Sequence, residues 1–277
     1  MSQIPQISEH YASGNLAQRL AETLIKDGID PERPTIEDLA PYDQFHGRGL
    51  EATEELVTTL EIDASHHVLD VGSGIGGPAR YFASRFGCQV TGIDLTDEFC
   101  GVARLFTERT GLQENVKFQQ GNALNMPFSN STFDGAYSMN VSMNIADKGA
   151  LFREIYRVLR PGSWLALSEI AKGSNGDLCY PTPWAASASA SFLATPDETQ
   201  SELEKVGFRV VSFRDATDDV IEFGRKSRAL VEQGGKPQHR SVQLIHGDLA
   251  AEAMKNSATG VAEGRIIPIE VICRKAT

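Results

Sequence analysis

Two hydrophobic periods alternate along the middle of the chain. Short apolar runs typical of buried strands fall at 67–72, 89–95, 116–121, 133–139 and 163–170. Apolar positions at helical spacing fill the intervals between these runs, at 77–86, 97–110 and 147–159. Strands that alternate with helices predict βαβ units and a parallel sheet, with right-handed crossovers that place helices on both faces.

The chain before the first strand predicts a helical cap. Residues 15–28 and 50–60 repeat apolar positions at helical spacing. The stretch between them, 30–49, contains three prolines and predicts a loop. We therefore expect helices to cover one side of the sheet ahead of the first βαβ unit.

The chain after the fifth strand is less regular. Residues 171–196 are long and irregular, and we expect an ordered lid there. Thr195 caps a helix with Pro196 in its first turn, and the sequence FRVVSFRDA predicts a strand. Residues 218–259 read as largely helical, and Pro268 in the final strand predicts a sheet edge or a bulge. We expect one domain made of a cap (1–60), a core (61–171) and a lid, insertion and final strands (172–277).

Glycines follow the first predicted strand in VLDVGSGIGGPARYF. Gly72, Gly74 and Gly77 spell G-x-G-x-x-G, the dinucleotide fingerprint. Gly72, Gly74 and Gly76 also spell G-x-G-x-G, a turn found in many methyltransferases. Both patterns place a ligand beyond the carboxyl ends of the strands.

Neighbouring polar residues favour a cationic ligand over a dinucleotide with a pyrophosphate. Asp70 would repel a pyrophosphate and attract a sulfonium or ammonium group. Asp94, which ends the second strand, can accept the ribose hydroxyls of either cofactor. Asn122 can bond the exocyclic amine of adenine, and Ala123 leaves room for the ring. The alternative for this last segment is a plain turn.

Four segments in order and spacing resemble the class I S-adenosylmethionine-dependent methyltransferases. They are LDVGSGIGG, GIDL, GNALNMPFSNSTFDGAYS and LFREIYRVLRPGSWLALSE, and the resemblance runs over residues 50–171. DQFHGRGLEAT and MNIADK resemble the small-molecule branch that includes sarcosine/dimethylglycine and phosphoethanolamine N-methyltransferases. The resemblance implies a Rossmann-like, doubly wound α/β sheet of seven strands whose last strand is antiparallel. It also implies S-adenosyl-L-methionine as donor, S-adenosyl-L-homocysteine as product and a small-molecule methyl acceptor.

The resemblance also implies which residues contact the donor. The glycine loop would cradle the methionine part, and Leu95 would pack on the adenine. Met139 would lie near the sulfur, and the segment around Gln44 would close over the donor. The implied cofactor-binding residues are Gln44, His46, Asp70, Gly72, Ser73, Gly74, Asp94, Leu95, Asn122, Ala123 and Met139.

His46, Tyr11 and Asn140 are the catalytic candidates. A pKa near neutrality suits His46 as a general base, with a solvated loop histidine as the alternative. Tyr11 either packs on the cap or faces the methyl group. Asn140 stands where relatives often carry His or Asp, and an amide can only orient a substrate. Asn144 and Trp184 are candidate substrate contacts. Trp184 could offer a π face to a cationic amine, and the alternative is that it anchors the lid.

The expected reaction is an in-line displacement of the methyl group from sulfonium to a nucleophile. We expect an amine acceptor that resembles glycine, sarcosine or ethanolamine. O-, C- or S-methylation of a natural-product-like metabolite is an alternative. A nucleotide-binding protein without methyl transfer, either an oxidoreductase or a silent donor-binding module, is the second class. Asp70 argues against the oxidoreductase, whereas Asn140 leaves the silent module open.

Composition and charge limit the classes of binding partner and the cellular location that we expect. The formal net charge is -11 without a Lys/Arg cluster, which argues against nucleic acid and anionic membranes. The four cysteines are scattered and form no C-x-x-C pair, so we expect reduced thiols. No basic and apolar leader is evident, and no apolar run approaches the ~20 residues of a membrane span. We therefore expect a cytoplasmic enzyme without a metal cluster, and a homodimer is a compatible assembly.

Overall fold

The computed structural model describes Tyr11 and residues 14–277, and its centre is a seven-stranded sheet. The N-terminal stretch in which the sequence shows no leader pattern lies mainly on residues 1–10, outside the described residues. The strands are β1 His67–Val71, β2 Gln89–Asp94, β3 Val116–Gln120, β4 Phe133–Met139, β5 Leu159–Lys172, β6 Phe208–Asp215 and β7 Ile266–Lys275. The helices are α1 Leu16–Lys26, α2 Ile36–Asp43, α3 Leu50–Thr58, α4 Gly77–Phe86, α5 Asp97–Arg109, α6 Lys148–Val158, α7 Pro196–Val206, α8 Thr217–Glu232, α9 Ser241–His246 and α10 Ala250–Ala262.

The strand order is β3-β2-β1-β4-β5-β7-β6, and β7 runs antiparallel to both of its neighbours. This is the doubly wound, seven-stranded α/β sheet that the sequence predicted, so that prediction is confirmed. Helices pack on both faces, as the two core clusters show: Leu69 and Val71 face one cluster and Val68 the other. Burial on both faces explains why the parallel strands read as continuous apolar runs. Chain order reverses at β1, between β2 and β4, where such sheets bind ligands.

The loop predicted at 30–49 is wrong in its middle, where α2 forms. The Thr35 side chain accepts the backbone N–H of Asp38, and the Asp38 carboxylate accepts the N–H of Thr35. This capping box satisfies the N–H groups that the first helical turn leaves open. Pro41 lies inside α2. Burial of Leu39 holds the short helix against the core.

The edge position predicted from Pro268 is also wrong, since β7 lies between β5 and β6. β6 ends at Asp215, which pairs with Ile269. The Pro268 carbonyl accepts the N–H of Ala216 just beyond that end, at 2.8 Å. In an antiparallel pair, the backbone nitrogen and carbonyl of one residue point toward the same neighbouring strand, so the Pro268 nitrogen also faces the chain near Ala216. The missing proline N–H therefore points past the end of β6 and removes no ladder bond.

The cap and the insertion complete the fold. Helices α1, α2 and α9 share a hydrophobic cluster with α5, which contains Leu20, Leu39, Phe106 and Leu244. The insertion, residues 218–259, is largely helical, as its sequence predicted. No helix within the described part of the chain is long and apolar enough to cross a membrane.

Candidate functional site

A pocket opens at the carboxyl ends of β1, β2 and β4, under the N-terminal cap. Thirteen of the fifteen residues proposed for the site from the sequence line it. They are Tyr11, His46, Asp70, Gly72, Ser73, Gly74, Asp94, Leu95, Asn122, Ala123, Met139, Asn140 and Asn144. Gln44 and Trp184 do not line it.

The loop after β1 requires its glycines for two physical reasons. Gly72, Gly74 and Gly76 have φ values of 75, 52 and 85°, in the left-handed region that other residues rarely adopt. A Cβ atom on Gly72 would also lie 2.3 Å from Cγ2 of Val141. The loop therefore presses its backbone directly against the segment that follows β4.

A buried ion pair supports the glycine loop from below. The Arg80 guanidinium donates to the Asp43 carboxylate at 2.9 Å and to the Ile75 carbonyl at 2.7 Å. Both side chains are buried, and Asp43 also borders the pocket. A Cβ on Gly77 would meet the Asp43 carbonyl oxygen at 2.4 Å, so α2 and α4 approach closely there. Sequence reasoning missed this pair, because nothing local to either residue indicates its partner.

Asp94 joins the loop after β1 to the loop after β2. Its carboxylate accepts the N–H of Gly74 and the N–H of Thr96, each at 2.8 Å. Burial raises the pKa of Asp94, and the Thr96 N–H opposes that change. Asn122 makes a comparable local bond, since its Oδ1 accepts the Leu124 N–H at 2.9 Å. Asn122 therefore forms a local turn and also lines the pocket, and its contact with adenine stays a prediction.

Asp70 and Ser73 each carry a buried polar atom at the pocket that the described protein leaves unsatisfied. Oδ2 of Asp70 and Oγ of Ser73 are buried without a hydrogen-bond partner among the described residues. Burial raises the pKa of Asp70 to about 8, opposed by the Tyr137 hydroxyl. A buried carboxylate is costly unless a cation completes it. A donor that carries sulfonium and ammonium groups meets this requirement, so these residues fit the donor named above.

The opposite wall of the pocket is aromatic. Nδ2 of Asn144 donates to the Tyr11 hydroxyl at 3.2 Å. The Tyr11 ring lies 5.9 Å from Phe45, 5.7 Å from Phe99 and 6.0 Å from His246, between ring centroids. Burial raises the pKa of Tyr11 above its usual range, so the phenol is neutral at physiological pH.

The near-neutral pKa expected for His46 is wrong. Burial lowers the pKa of His46 to about 3, and Arg48 and His239 act in the same direction. Its Nε2 lies 3.1 Å from both Gln44 Oε1 and Thr53 Oγ1. The imidazole borders the pocket as a neutral, weakly basic group. Gln44 is fully buried behind it, so the expected direct donor contact by Gln44 is replaced by support of His46.

Asn140 holds two parts of the wall together. In the amide orientation that satisfies both groups, Nδ2 donates to the Ser168 carbonyl at 3.3 Å. Its Oδ1 then accepts the Gly47 N–H at 3.1 Å. Its backbone φ is 57°, a left-handed conformation in which Asn is favoured among residues with a side chain. Asn140 therefore joins the end of β5 to the cap.

The expected position of Trp184 as a pocket wall is wrong. Its indole Nε1 donates to Ser191 Oγ at 2.9 Å inside the lid. The ring packs in a separate cluster with Met143, Val261 and Ile266. Trp184 therefore anchors the lid to the C-terminal part of the fold, which was the alternative considered. No group of three or more His, Cys, Asp or Glu side chains among the described residues is arranged for a metal ion.

Comparisons with known proteins agree with this architecture. The chain is 28% identical over 223 residues to methyltransferase GfsG from Streptomyces halstedii, covering 79% of this chain and 78% of that protein. It is 33% identical over 173 residues to O-methyltransferase resE from Aspergillus sclerotiorum, covering 61% of this chain and 64% of that protein. The chain thus spans less than two thirds of the length of the second relative.

Solved structures share the fold at low identity. A geranyl diphosphate C-methyltransferase from Streptomyces coelicolor A3(2) superposes with a TM-score of 0.72 at 16% identity, covering 100% of this chain and 99% of that one. Phosphoethanolamine N-methyltransferase 2 from Haemonchus contortus superposes with a TM-score of 0.70 at 22% identity, covering 88% of this chain and 58% of that one. The family model of a methyltransferase domain matches residues 69–167. The glycine loop and Asp94 lie inside that match, so residues 69–167 form a methyltransferase domain, in agreement with the resemblance to the class I S-adenosylmethionine-dependent methyltransferases.

Proposed function

We propose that the protein transfers the methyl group of S-adenosylmethionine to an acidic hydroxyl group of an uncharged, mainly apolar small molecule. One observation carries the choice of acceptor. Of the described residues that line the pocket, none is Lys or Arg, and the acidic ones are Asp43, Asp70 and Asp94. An acceptor with a carboxylate or a phosphate would be desolvated there beside these carboxyl groups and without a lysine or arginine of the described lining as counterion, which is unfavourable.

The donor occupies the side of the pocket that the glycine loop forms. Asp70 balances its cationic groups, and Gly72–Gly74 lie along its methionine part. Asp94 accepts the ribose hydroxyls, and Leu95 and Ala123 flank the adenine. Asn122 bonds the adenine edge. In this placement the methyl group points toward Met139 and the aromatic wall.

The chemistry needs little from the protein beyond alignment. The sulfonium is already activated, so catalysis consists of holding donor and acceptor at near-attack distance and excluding water. A hydroxyl must lose its proton during the transfer. Neutral Tyr11 and weakly basic His46 can orient that hydroxyl but do not hold its proton at neutral pH. An acidic phenol or enol requires the least help, because its proton can leave to water.

The names of some relatives support an oxygen acceptor, while other relatives are named C- and N-methyltransferases. Two fungal relatives, at 33% and 31% identity, are O-methyltransferases by name. The amine acceptor expected from the sequence stays a prediction. Its glycine, sarcosine and phosphoethanolamine variants carry an anionic group for which the described lining offers no cation. The net charge of -11 likewise makes a nucleic acid an unfavourable partner.

The test has a binding arm and a turnover arm. Calorimetric titration with S-adenosylhomocysteine measures donor binding, with NADH as the comparison. Labelled S-adenosylmethionine is then incubated with the neutral phenols 1-naphthol and 3-methoxyphenol, and separately with glycine, sarcosine and phosphoethanolamine. We expect donor binding and labelled methyl ether from the phenols. Methylation confined to the anionic amines would refute the acceptor class, and binding of NADH alone would refute the donor.

A further inference from the structure

A turn after β4, residues 141–145, lies between the two halves of the pocket. Val141, Asn144 and Ile145 all line the pocket. Val141 packs against Gly72 of the donor loop so closely that a Cβ on Gly72 has no room. Asn144 reaches the Tyr11 hydroxyl on the other side. A small displacement of this turn would therefore change the space around the donor's methyl group.

Glu169, on β5, holds the N–H side of the turn. Its side chain is buried, with 2% of the residue exposed. The carboxylate accepts the backbone N–H groups of Val141 at 3.0 Å and of Ser142 at 2.9 Å. It also accepts the hydroxyls of Ser138 at 3.0 Å and Ser142 at 2.9 Å. A group that only accepts hydrogen bonds is required, because a Gln amide would turn an NH₂ toward one or more of these donors.

Lys148 holds the carbonyl side of the same turn. Its ammonium group donates to the carbonyls of Ser142 at 2.5 Å and of Ile145. A third bond, at 2.5 Å, reaches the carbonyl of Phe192 in the lid. The Phe192 N–H donates in turn to the Met143 carbonyl at 2.8 Å. Phe192 therefore fixes the position of the lid relative to the turn, because its carbonyl accepts from Lys148 and its N–H donates to Met143.

We propose that Glu169 and Lys148 are positioning residues for methyl transfer, which hold the 141–145 turn between the donor loop and the lid. The inference rests on the proposed placement of the donor's methyl group beside this turn. Neither residue lines the pocket, so both act through the turn. The arrangement is complementary, since the anion takes the N–H groups and the cation takes the carbonyls of one short segment.

The test compares two donor analogues that differ at the methyl position. S-adenosylhomocysteine has no group there, whereas sinefungin carries an amine. Dissociation constants of both are measured calorimetrically for the wild type, Glu169→Gln and Lys148→Met. Positioning predicts that both variants weaken sinefungin relative to S-adenosylhomocysteine by about threefold or more, because both loosen the same turn. A purely electrostatic effect predicts opposite changes, since one variant removes an anion and the other a cation.

Glu198→Gln is the matched control. Glu198 also accepts a backbone N–H, that of Thr195 at 2.8 Å, but it caps α7 away from the pocket. We expect this control to leave the sinefungin ratio at its wild-type value. Hydrogen exchange at Val141 and Ser142 should accelerate in Glu169→Gln and stay unchanged in the control.

Each outcome has a separate meaning. Opposite shifts, or unchanged ratios in both variants, would overturn the positioning role. Should Glu169→Gln not fold, Lys148→Met and Glu169→Asp decide the question by the same ratio. Failure of the wild type to bind S-adenosylhomocysteine would instead refute the proposed function.

Discussion

The wall of the pocket proposed to hold the donor and the wall proposed to hold the acceptor, called here the donor side and the acceptor side, are built in different ways. The donor side consists of the glycine loop and the ends of β1 and β2, which bond to each other across adjacent strands, as in the Gly72 N–H bond to the Ile93 carbonyl at 2.8 Å. The acceptor side joins segments far apart in the chain, since Tyr11 and Asn144 are separated by 133 positions. A local pattern therefore encodes the first wall, and only tertiary packing assembles the second.

The two sides also differ in how their polar groups are satisfied. On the donor side, Asp70 Oδ2 and Ser73 Oγ are buried without partners among the described residues. On the acceptor side, Asn140 and Asn144 each bond other parts of the protein. The donor side thus keeps unsatisfied polar atoms for its ligand, whereas the acceptor side presents aromatic rings and satisfied amides. This contrast favours a cationic donor and a neutral acceptor.

Among the substitutions that test this contrast, Gly72→Ala should have the largest effect on stability and on donor binding. A left-handed alanine and a Cβ 2.3 Å from Val141 together should cost about 2–4 kcal/mol of unfolding free energy. The same clash separates the donor loop from the 141–145 turn, so S-adenosylhomocysteine binding should be lost. Urea unfolding and calorimetric titration measure the two effects.

Gly176→Ala provides the control for backbone strain alone. Gly176 lies in the lid with a φ of 89°, and a Cβ added there would meet no atom within 4 Å beyond its chain neighbours. We expect a loss of about 1–2 kcal/mol there, with donor binding intact. Equal losses at both glycines would show that the close approach of Val141 to the loop is unimportant.

Asp70→Asn gives the next largest effect, and it depends on pH. Because the folded protein raises the pKa of Asp70 from 3.8 to about 8, the folded state retains a proton that the unfolded chain releases. This contribution to stability is complete below pH 4 and is lost as the pH rises toward 8. The wild type should therefore lose stability relative to Asp70→Asn across that window and run parallel to it above pH 8, as urea unfolding would measure.

Bound donor should reverse this difference in stability between the wild type and Asp70→Asn. A bound sulfonium and ammonium favour ionised Asp70, so saturating S-adenosylmethionine should stabilise the wild type more than Asp70→Asn at pH 7. Glu222→Gln, at an exposed ion pair with Arg225, serves as a control without pH dependence between 6 and 8. Parallel pH profiles for the wild type and Asp70→Asn would contradict the assignment of Asp70 as a buried carboxyl group with a raised pKa.

The smallest effect is expected on the acceptor side, from Tyr11→Phe. Loss of the hydroxyl that accepts the Asn144 amide should cost about 0.5–1.5 kcal/mol. S-adenosylhomocysteine affinity should stay close to the wild-type value, while methylation of 1-naphthol slows. A double-mutant cycle with Asn144→Ala isolates the pair, and strictly additive losses would show that the two residues do not interact.

Much of the donor side could be predicted because its signals are local. Strand β1, the left-handed glycines and Asp94 follow one another along one βαβ unit, and the sheet topology follows from alternation of the two periods. Asn140 could be chosen as an orienting residue, since an amide has no basicity. Its two partners, Ser168 and Gly47, could not be named, because each belongs to a different segment.

The sequence by itself determined the sheet, the methyltransferase domain and the position of the glycine loop, because hydrophobic period and glycine spacing act over a few residues at a time. Tertiary structure alone decided the environment of each titratable group. It buries His46 and lowers its pKa to about 3, and it moves Trp184 from the pocket into the lid anchor. It also brings Glu169 and Lys148 to opposite sides of one turn. Desolvation and long-range packing depend on which distant segments meet, and no local pattern contains that information.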